Sequence, residues 1–127
     1  MNVRVLIADD DPMIRRTLAS ALGRIGFDVA TAADGGSALR LAEIATPDIT
    51  VIDLNMPNGG VEVVRELKAC HGPDMFVAVL TGEDCDETRA TCLAAGADAV
   101  LLKPLSVIEL RKRLLAAAAA LQMQSAA

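Results

Sequence analysis

The chain has no tryptophan and no tyrosine, and only two phenylalanines among 127 residues. Its core must therefore be filled by Val, Ile, Leu and Ala. Side chains of that size pack well between strands and helices, which favours a layered α/β domain over a β-sandwich. The three cysteines, Cys70, Cys85 and Cys92, form no CxxC and no metal-ligand spacing, and an odd number builds no closed disulfide framework. They read as reduced, small apolar side chains. Positive charge is also short, with 12 Lys and Arg against 17 Asp and Glu for a net charge of −5. That balance argues against direct binding of a nucleic-acid backbone, which needs a positive field, and leaves room only for a DNA-binding partner outside these residues. Long hydrophobic runs are missing too. The stretches Val3–Ile7 and Ala116–Ala120 are too short for a signal peptide or a membrane span. The expectation is a cytoplasmic protein without membrane contact, forming one domain over residues 1–127.

What the chain does contain is a regular alternation. Val3 to Ala8 reads as a buried first strand. Asp11 suits a helix N-cap and Pro12 the first helical position. Ile14, Leu18, Leu22 and Ile25 then form one stripe, stopped by Gly26. Phe27 to Ala32 is a second strand, and Asp34-Gly35-Gly36 reads as a turn. Ala38, Leu41, Ala42 and Ala45 form a second helical stripe, ended by Thr46-Pro47. The β-branched run Ile49–Ile52 leads into Asp53, and Asn55-Met56-Pro57-Asn58-Gly59-Gly60 cannot continue a strand. Val61, Val64 and Leu67 mark a third helix, closed near His71-Gly72-Pro73. Met75 to Leu80 is a fourth strand ending at Thr81. Thr88, Cys92 and Ala95 share a face of a fourth helix, ended by Gly96. Ala99 to Leu102 is a fifth strand ending at Lys103-Pro104. Ser106-x-x-Glu109 is a capping box for the last helix, whose buried side is Leu110, Leu114 and Leu121.

Five strand–helix units of this kind imply a parallel sheet with right-handed crossovers and helices on both faces. The carboxyl ends of parallel strands share one edge, where ligands bind. Asp9 and Asp10 end the first strand, Asp53 the third, Thr81 the fourth and Lys103 the fifth. Any one of these reads more simply as a turn residue or a solvated charge. All five at strand ends are a coherent set. Three crowded carboxylates call for a hard divalent cation such as Mg²⁺, which takes oxygen ligands and bridges carboxylates to phosphate oxygens. A hydroxyl and an ammonium opposite would bind an anion. Together they describe phosphoryl chemistry with a carboxylate as nucleophile.

Ile7-Ala8-Asp9-Asp10-Asp11, Ile52-Asp53-Leu54-Asn55-Met56-Pro57, Leu80-Thr81-Gly82 and Leu102-Lys103-Pro104, in that order and spacing, resemble the receiver domain of two-component response regulators. The resemblance covers essentially the whole chain. It implies a doubly wound, flavodoxin-like (βα)5 fold with strand order 2-1-3-4-5. It implies Asp53 as phosphoacceptor, taking a phosphoryl group from a sensor histidine kinase or a histidine phosphotransfer domain. Such a domain is not an enzyme in the usual sense, but it assists its own phosphorylation and dephosphorylation. Mg²⁺ would be held by Asp9, Asp10, Asp53 and the backbone carbonyl of Asn55, with Asp10 the most direct ligand. Thr81 and Lys103 would bind phosphoryl oxygens, Gly82 would leave the site open to small donors, and the Lys103–Pro104 bond would be cis. Asn55 and Glu83 stand where the family tunes water access, which implies a short-lived phosphoryl group. The signal would leave through the face of the fourth helix, fifth strand and fifth helix, to an output domain, a partner protein or a second copy of the chain.

Two positions depart from the family pattern. Val100 stands three residues before Lys103, where the family carries an aromatic that swings inward on activation. The turn Asn58-Gly59-Gly60 is one residue shorter than in the chemotaxis regulator, and its glycines predict a freer loop. Two other readings compete. Asp9-x-Asp11 resembles the signature of haloacid-dehalogenase phosphatases, but no acidic pair follows Lys103 and Asp53 would have no role. A binding module that is not phosphorylated would have little use for the intact set. No output domain follows the last helix, so both a stand-alone regulator and the receiver piece of a longer protein fit, with 121–125 as a candidate linker helix.

Overall fold

A computed structural model describes residues 2–57, 59–104 and 106–126. Asn58, part of the turn discussed above, lies outside them. The elements alternate as β1 (Arg4–Ala8), α1 (Pro12–Arg24), β2 (Asp28–Ala32), α2 (Gly35–Ile44), β3 (Ile49–Asp53), α3 (Gly60–His71), β4 (Phe76–Thr81), α4 (Asp86–Ala95), β5 (Ala99–Leu102) and α5 (Val107–Ala126). All strand pairs are parallel and the order is β2-β1-β3-β4-β5. β3 is therefore central, and each of its five residues is buried.

Successive side chains of a strand point to opposite faces, and the core divides accordingly. Leu6, Ile52, Val79 and Val100 pack with Ala38, Val64 and Cys92 under α2, α3 and α4. Val5, Ile7, Val51, Leu80 and Leu101 pack with Leu18, Leu22, Leu110 and Leu114 under α1 and α5. Aliphatic residues thus fill both layers, and the two phenylalanines, Phe27 and Phe76, lie only partly buried at the margin of the second.

Helix starts follow local chemistry. Asp11 caps α1, accepting from Met13 N at 2.9 Å, with Pro12 at the first turn. Asp34 caps α2 through Ser37 N at 2.8 Å. Gly35 and Gly36 are consequently the first turn of that helix rather than a loop. The cap outweighs the poor helix propensity of two glycines. Ser106 Oγ accepts from Glu109 N at 3.2 Å. The reciprocal half of the expected capping box gives way to a Glu109–Arg113 pair at 3.5 Å. On α5, Ala117 and Ala118 join Leu110 and Leu114 in the core, while Leu121 is only half-buried. On α3, Val63 is buried and Val61 half-buried, because the helix enters the sheet through Gly60. A Cβ on Gly60 would lie 2.7 Å from the Leu54 backbone, so that glycine serves a close approach and not looseness.

The amino edge of the sheet is closed by two aspartates. Asp48, just before β3, accepts from Arg4 N at 2.9 Å. Asp98, just before β5, accepts from Val77 N at 2.8 Å and from Lys68 Nζ at 2.7 Å. Lys68 Nζ also donates to the Met75 carbonyl. Each carboxylate there holds a neighbouring strand by an amide near its start.

The cysteines depart from the apolar reading. Cys92 is buried, but Cys70 and Cys85 are exposed. Cys85 is the N-cap of α4, its Sγ accepting from Thr88 N at 3.3 Å. Among the described residues no helix is long and apolar enough to cross a membrane.

Candidate functional site

At the carboxyl edge the carboxylates crowd together. β1 delivers Asp9 and β3 delivers Asp53, both buried, while Asp10 follows Asp9 into solvent. One oxygen from each of Asp9, Asp10 and Asp53 lies within 4.8 Å of the others. Asp9 Oδ1 accepts from Asp11 N at 2.9 Å, and Asp53 Oδ1 from Asn55 N at 3.2 Å. Oxygen donors alone, three of them anionic, partly buried and partly open, suit a hard divalent cation.

Lys103 pairs directly with two of the carboxylates. Its Nζ lies 3.2 Å from Asp53 Oδ1 and 3.5 Å from Asp9 Oδ2. Burial would lower the pKa of its ammonium, but the hydrogen bond and charge of Asp53, with Asp9 behind, outweigh burial and raise it. The Lys103 backbone is held by its amide on Thr81 O at 2.8 Å, and the Lys103–Pro104 peptide is cis, as the resemblance implied. The Asp9 carboxyl is shifted upward. Burial is the main cause and the Asp53 charge adds to it, against the Asp11 amide and Lys103.

Thr81 is buried at the end of β4. Its Oγ1 accepts from Glu83 N at 3.0 Å, so the hydroxyl is engaged within its own turn. Glu83 in turn accepts from Thr88 Oγ1 at 2.8 Å, which ties this turn to α4. A Cβ at Gly82 would meet nothing within 4 Å, so the approach over that residue is open. Val100 is buried in the α2–α4 layer, and its carbonyl accepts from Arg89 Nη1 at 3.5 Å. No large ring is available there to move. Beside Lys103, a hollow of about 440 Å³ lies between α1 and the start of α5, lined by Met13, Ile14, Leu18, Pro104 and Val107.

Sequence reasoning thus located Asp9, Asp10, Asp53 and Lys103, which the fold brings together. Thr81 and Asn55 border them, in the turns after β4 and β3. It missed Arg15, whose Nη1 donates to the Asp9 carbonyl at 2.7 Å. A signal was present: two arginines near a helix N-terminus oppose the helix dipole and need a local reason.

The family model described as a response regulator receiver domain matches residues 5–115. The response regulator MprA of Mycolicibacterium vanbaalenii is 41% identical over 115 residues, 90% of this chain and 49% of that protein. The transcriptional regulatory protein PrrA of Mycobacterium tuberculosis is 44% identical over 111 residues, 87% of this chain and 47% of that protein. The chain therefore spans about half the length of these curated relatives. Among solved structures, the chemotaxis protein CheY4 of Vibrio cholerae aligns with a TM-score of 0.87 at 33% identity, covering 92% of this chain and 99% of that one. A CheY-like receiver domain protein of Methanospirillum hungatei aligns with a TM-score of 0.92 at 26% identity, covering 98% of this chain and 99% of that one.

Proposed function

Because the chain belongs to the response regulator receiver family, we propose that its acidic edge is a phosphoacceptor site and that Asp53 is the residue modified. The observation that carries this reading is the position of Asp53. It ends the central strand, buried, with Asp9 and Asp10 on one side and Lys103 Nζ at 3.2 Å. Residues 1–127 act as one receiver unit on this reading.

An oxygen of Asp53 attacks the phosphorus of a phosphohistidine on a sensor kinase or phosphotransfer domain. The new O–P bond forms as the P–N bond breaks, and the imidazole leaves with its electron pair. Mg²⁺, which Asp9, Asp10, Asp53 and the Asn55 carbonyl would hold, would neutralise charge between the carboxylates and the phosphoryl oxygens. Lys103 turns from the Asp53 carboxylate to a phosphoryl oxygen, keeping its charge paired. Thr81 binds another oxygen when its hydroxyl leaves the Glu83 turn. Water entering past Asn55 and Glu83 later attacks phosphorus and returns the carboxylate, giving a short-lived signal.

Output is expected at the face of α4, β5 and α5, toward an output domain, a partner or a second copy of the chain. Leu93 on α4, Leu102 on β5, and Ile108 and Leu115 on α5 are exposed there. With Val100 in place of an aromatic, backbone movement of α4 carries the change. A cytoplasmic site of action fits a kinase donor.

The test is intact-mass measurement after incubation with Mg²⁺ and acetyl phosphate. A phosphate-sized gain is expected in the wild type and none in Asp53→Asn. An equal gain in the variant would sink the assignment.

A further inference from the structure

We propose that Arg15 is a positioning residue for the metal-binding carboxylates, acting through the backbone of Asp9. The proposal rests on the reading of Asp9, Asp10 and Asp53 as an Mg²⁺ site. Its ground is the way the peptide between Asp9 and Asp10 is held. The amide of Asp9 donates to Ala32 O of β2 at 3.0 Å, and its carboxylate takes the Asp11 amide at 2.9 Å. Its carbonyl takes Arg15 Nη1 at 2.7 Å. A peptide unit is planar, so fixing the Asp9 carbonyl fixes the plane that carries the Asp10 amide and sets the direction in which Asp10 leaves the strand. Asp10 itself is exposed, so its direction depends on the backbone that carries it. The Arg15 fork, half-buried on α1, is what holds that plane from the helix side.

The sign of the effect separates positioning from charge. Arg15 is a cation near an acidic metal site, and by Coulomb's law its removal should tighten a divalent cation. Positioning predicts the reverse, since partners that orient metal ligands typically carry about tenfold or more in affinity. Arg16 provides the baseline. It has the same charge, is exposed, and makes only a long 3.4 Å contact from Nε to the Pro12 carbonyl.

The experiment is titration calorimetry with MgCl₂ alone on the wild type, Arg15→Met, Arg15→Lys and Arg16→Met, with thermal melts of each. We expect Arg16→Met to bind Mg²⁺ as tightly as the wild type or slightly tighter. Arg15→Met should bind about tenfold more weakly, with Arg15→Lys between. Arg15→Gln, polar but too short to reach, takes the place of Arg15→Met should that variant not fold. A merely structural Arg15 would lower the melting temperature and leave Mg²⁺ affinity at the Arg16→Met value, which overturns the proposal. A wild type that binds no Mg²⁺ overturns the metal reading itself, a separate outcome visible before any variant is compared.

Discussion

Lys103 Nζ sits 3.2 Å from Asp53 Oδ1, nearer than its 3.5 Å to Asp9 Oδ2. One ammonium thus serves two buried carboxylates, with the exposed Asp10 beside them, and leans toward the one that ends the central strand. The cluster keeps excess negative charge, three carboxylates against that ammonium.

Removing that ammonium should therefore expose the excess. Lys103→Met is expected to destabilise the metal-free domain by about 1–2 kcal/mol, because buried carboxylates lose their partner. Mg²⁺ should then raise the melting temperature more in the variant than in the wild type, since ten times Kd of a ligand stabilises by about 1.4 kcal/mol and the affinity itself should rise. Melts with and without MgCl₂ measure this, and an equal Mg²⁺ increment in both proteins would contradict it.

The raised Asp9 carboxyl sets a pH dependence. Burial, with the Asp53 charge, lifts its folded pKa above the unfolded value. Such a group favours the fold while protonated and loses that contribution as pH rises through the folded pKa. Metal-free Asp9→Asn should therefore melt higher than the wild type at pH 7. The advantage should shrink as pH falls through the carboxylate range and Asp9 takes up its proton. A variant that melts lower than the wild type at pH 7 would show that the Lys103 contact outweighs burial.

Two glycines beside the site should behave oppositely. A Cβ on Gly60 meets the Leu54 backbone at 2.7 Å, so Gly60→Ala forces α3 away from the end of β3. A loss of about 1–3 kcal/mol in urea unfolding is expected. Gly82→Ala meets nothing within 4 Å and should stay within about 0.5 kcal/mol of the wild type. Equal effects would mean that the α3 entry relaxes freely.

At the far edge, Lys68 and Asp98 should differ in worth. Lys68→Met removes the 2.7 Å bond to Asp98 and the contact with Met75 O, and leaves Asp98 on Val77 N. About 1 kcal/mol is expected. Asp98→Ala also strands the Val77 amide and the Lys68 ammonium, and should cost about 2 kcal/mol. Chemical denaturation that ranks them the other way would refute the pairing scheme. Neither change should alter phosphorylation.

The acidic edge was readable because each of its residues closes a strand whose burial the β-branched runs announce: Val3–Ala8, Ile49–Ile52 and Ala99–Leu102. Strand order came from the resemblance, because alternation alone allows several parallel orders. Arg15 was not readable because it works through a carbonyl, which no residue code carries. Asp48 and Asp98 look like ordinary loop residues until neighbouring strands bring their opening amides to them. Gly35-Gly36 misled because the cap on Asp34 decides that segment more than its glycines do. Cys85 misled because its thiol caps a helix instead of filling a core. The role of Val100 turns on what is missing: an absent ring is legible in sequence, while the aliphatic packing that replaces it is not.

The sheet uses aspartate for two trades, one at each end of its strands. Asp48 and Asp98 each accept from a strand amide, Asp98 from a lysine as well, and they behave as mortar. Asp9, Asp10 and Asp53 are left hungry for a cation. Because the two sets sit a full strand length apart, substitutions at the hungry end should change the chemistry of that end without loosening the masonry at the other. A fold wired in this way can be copied and repurposed many times, with each copy inheriting its stability and rewriting only its rim.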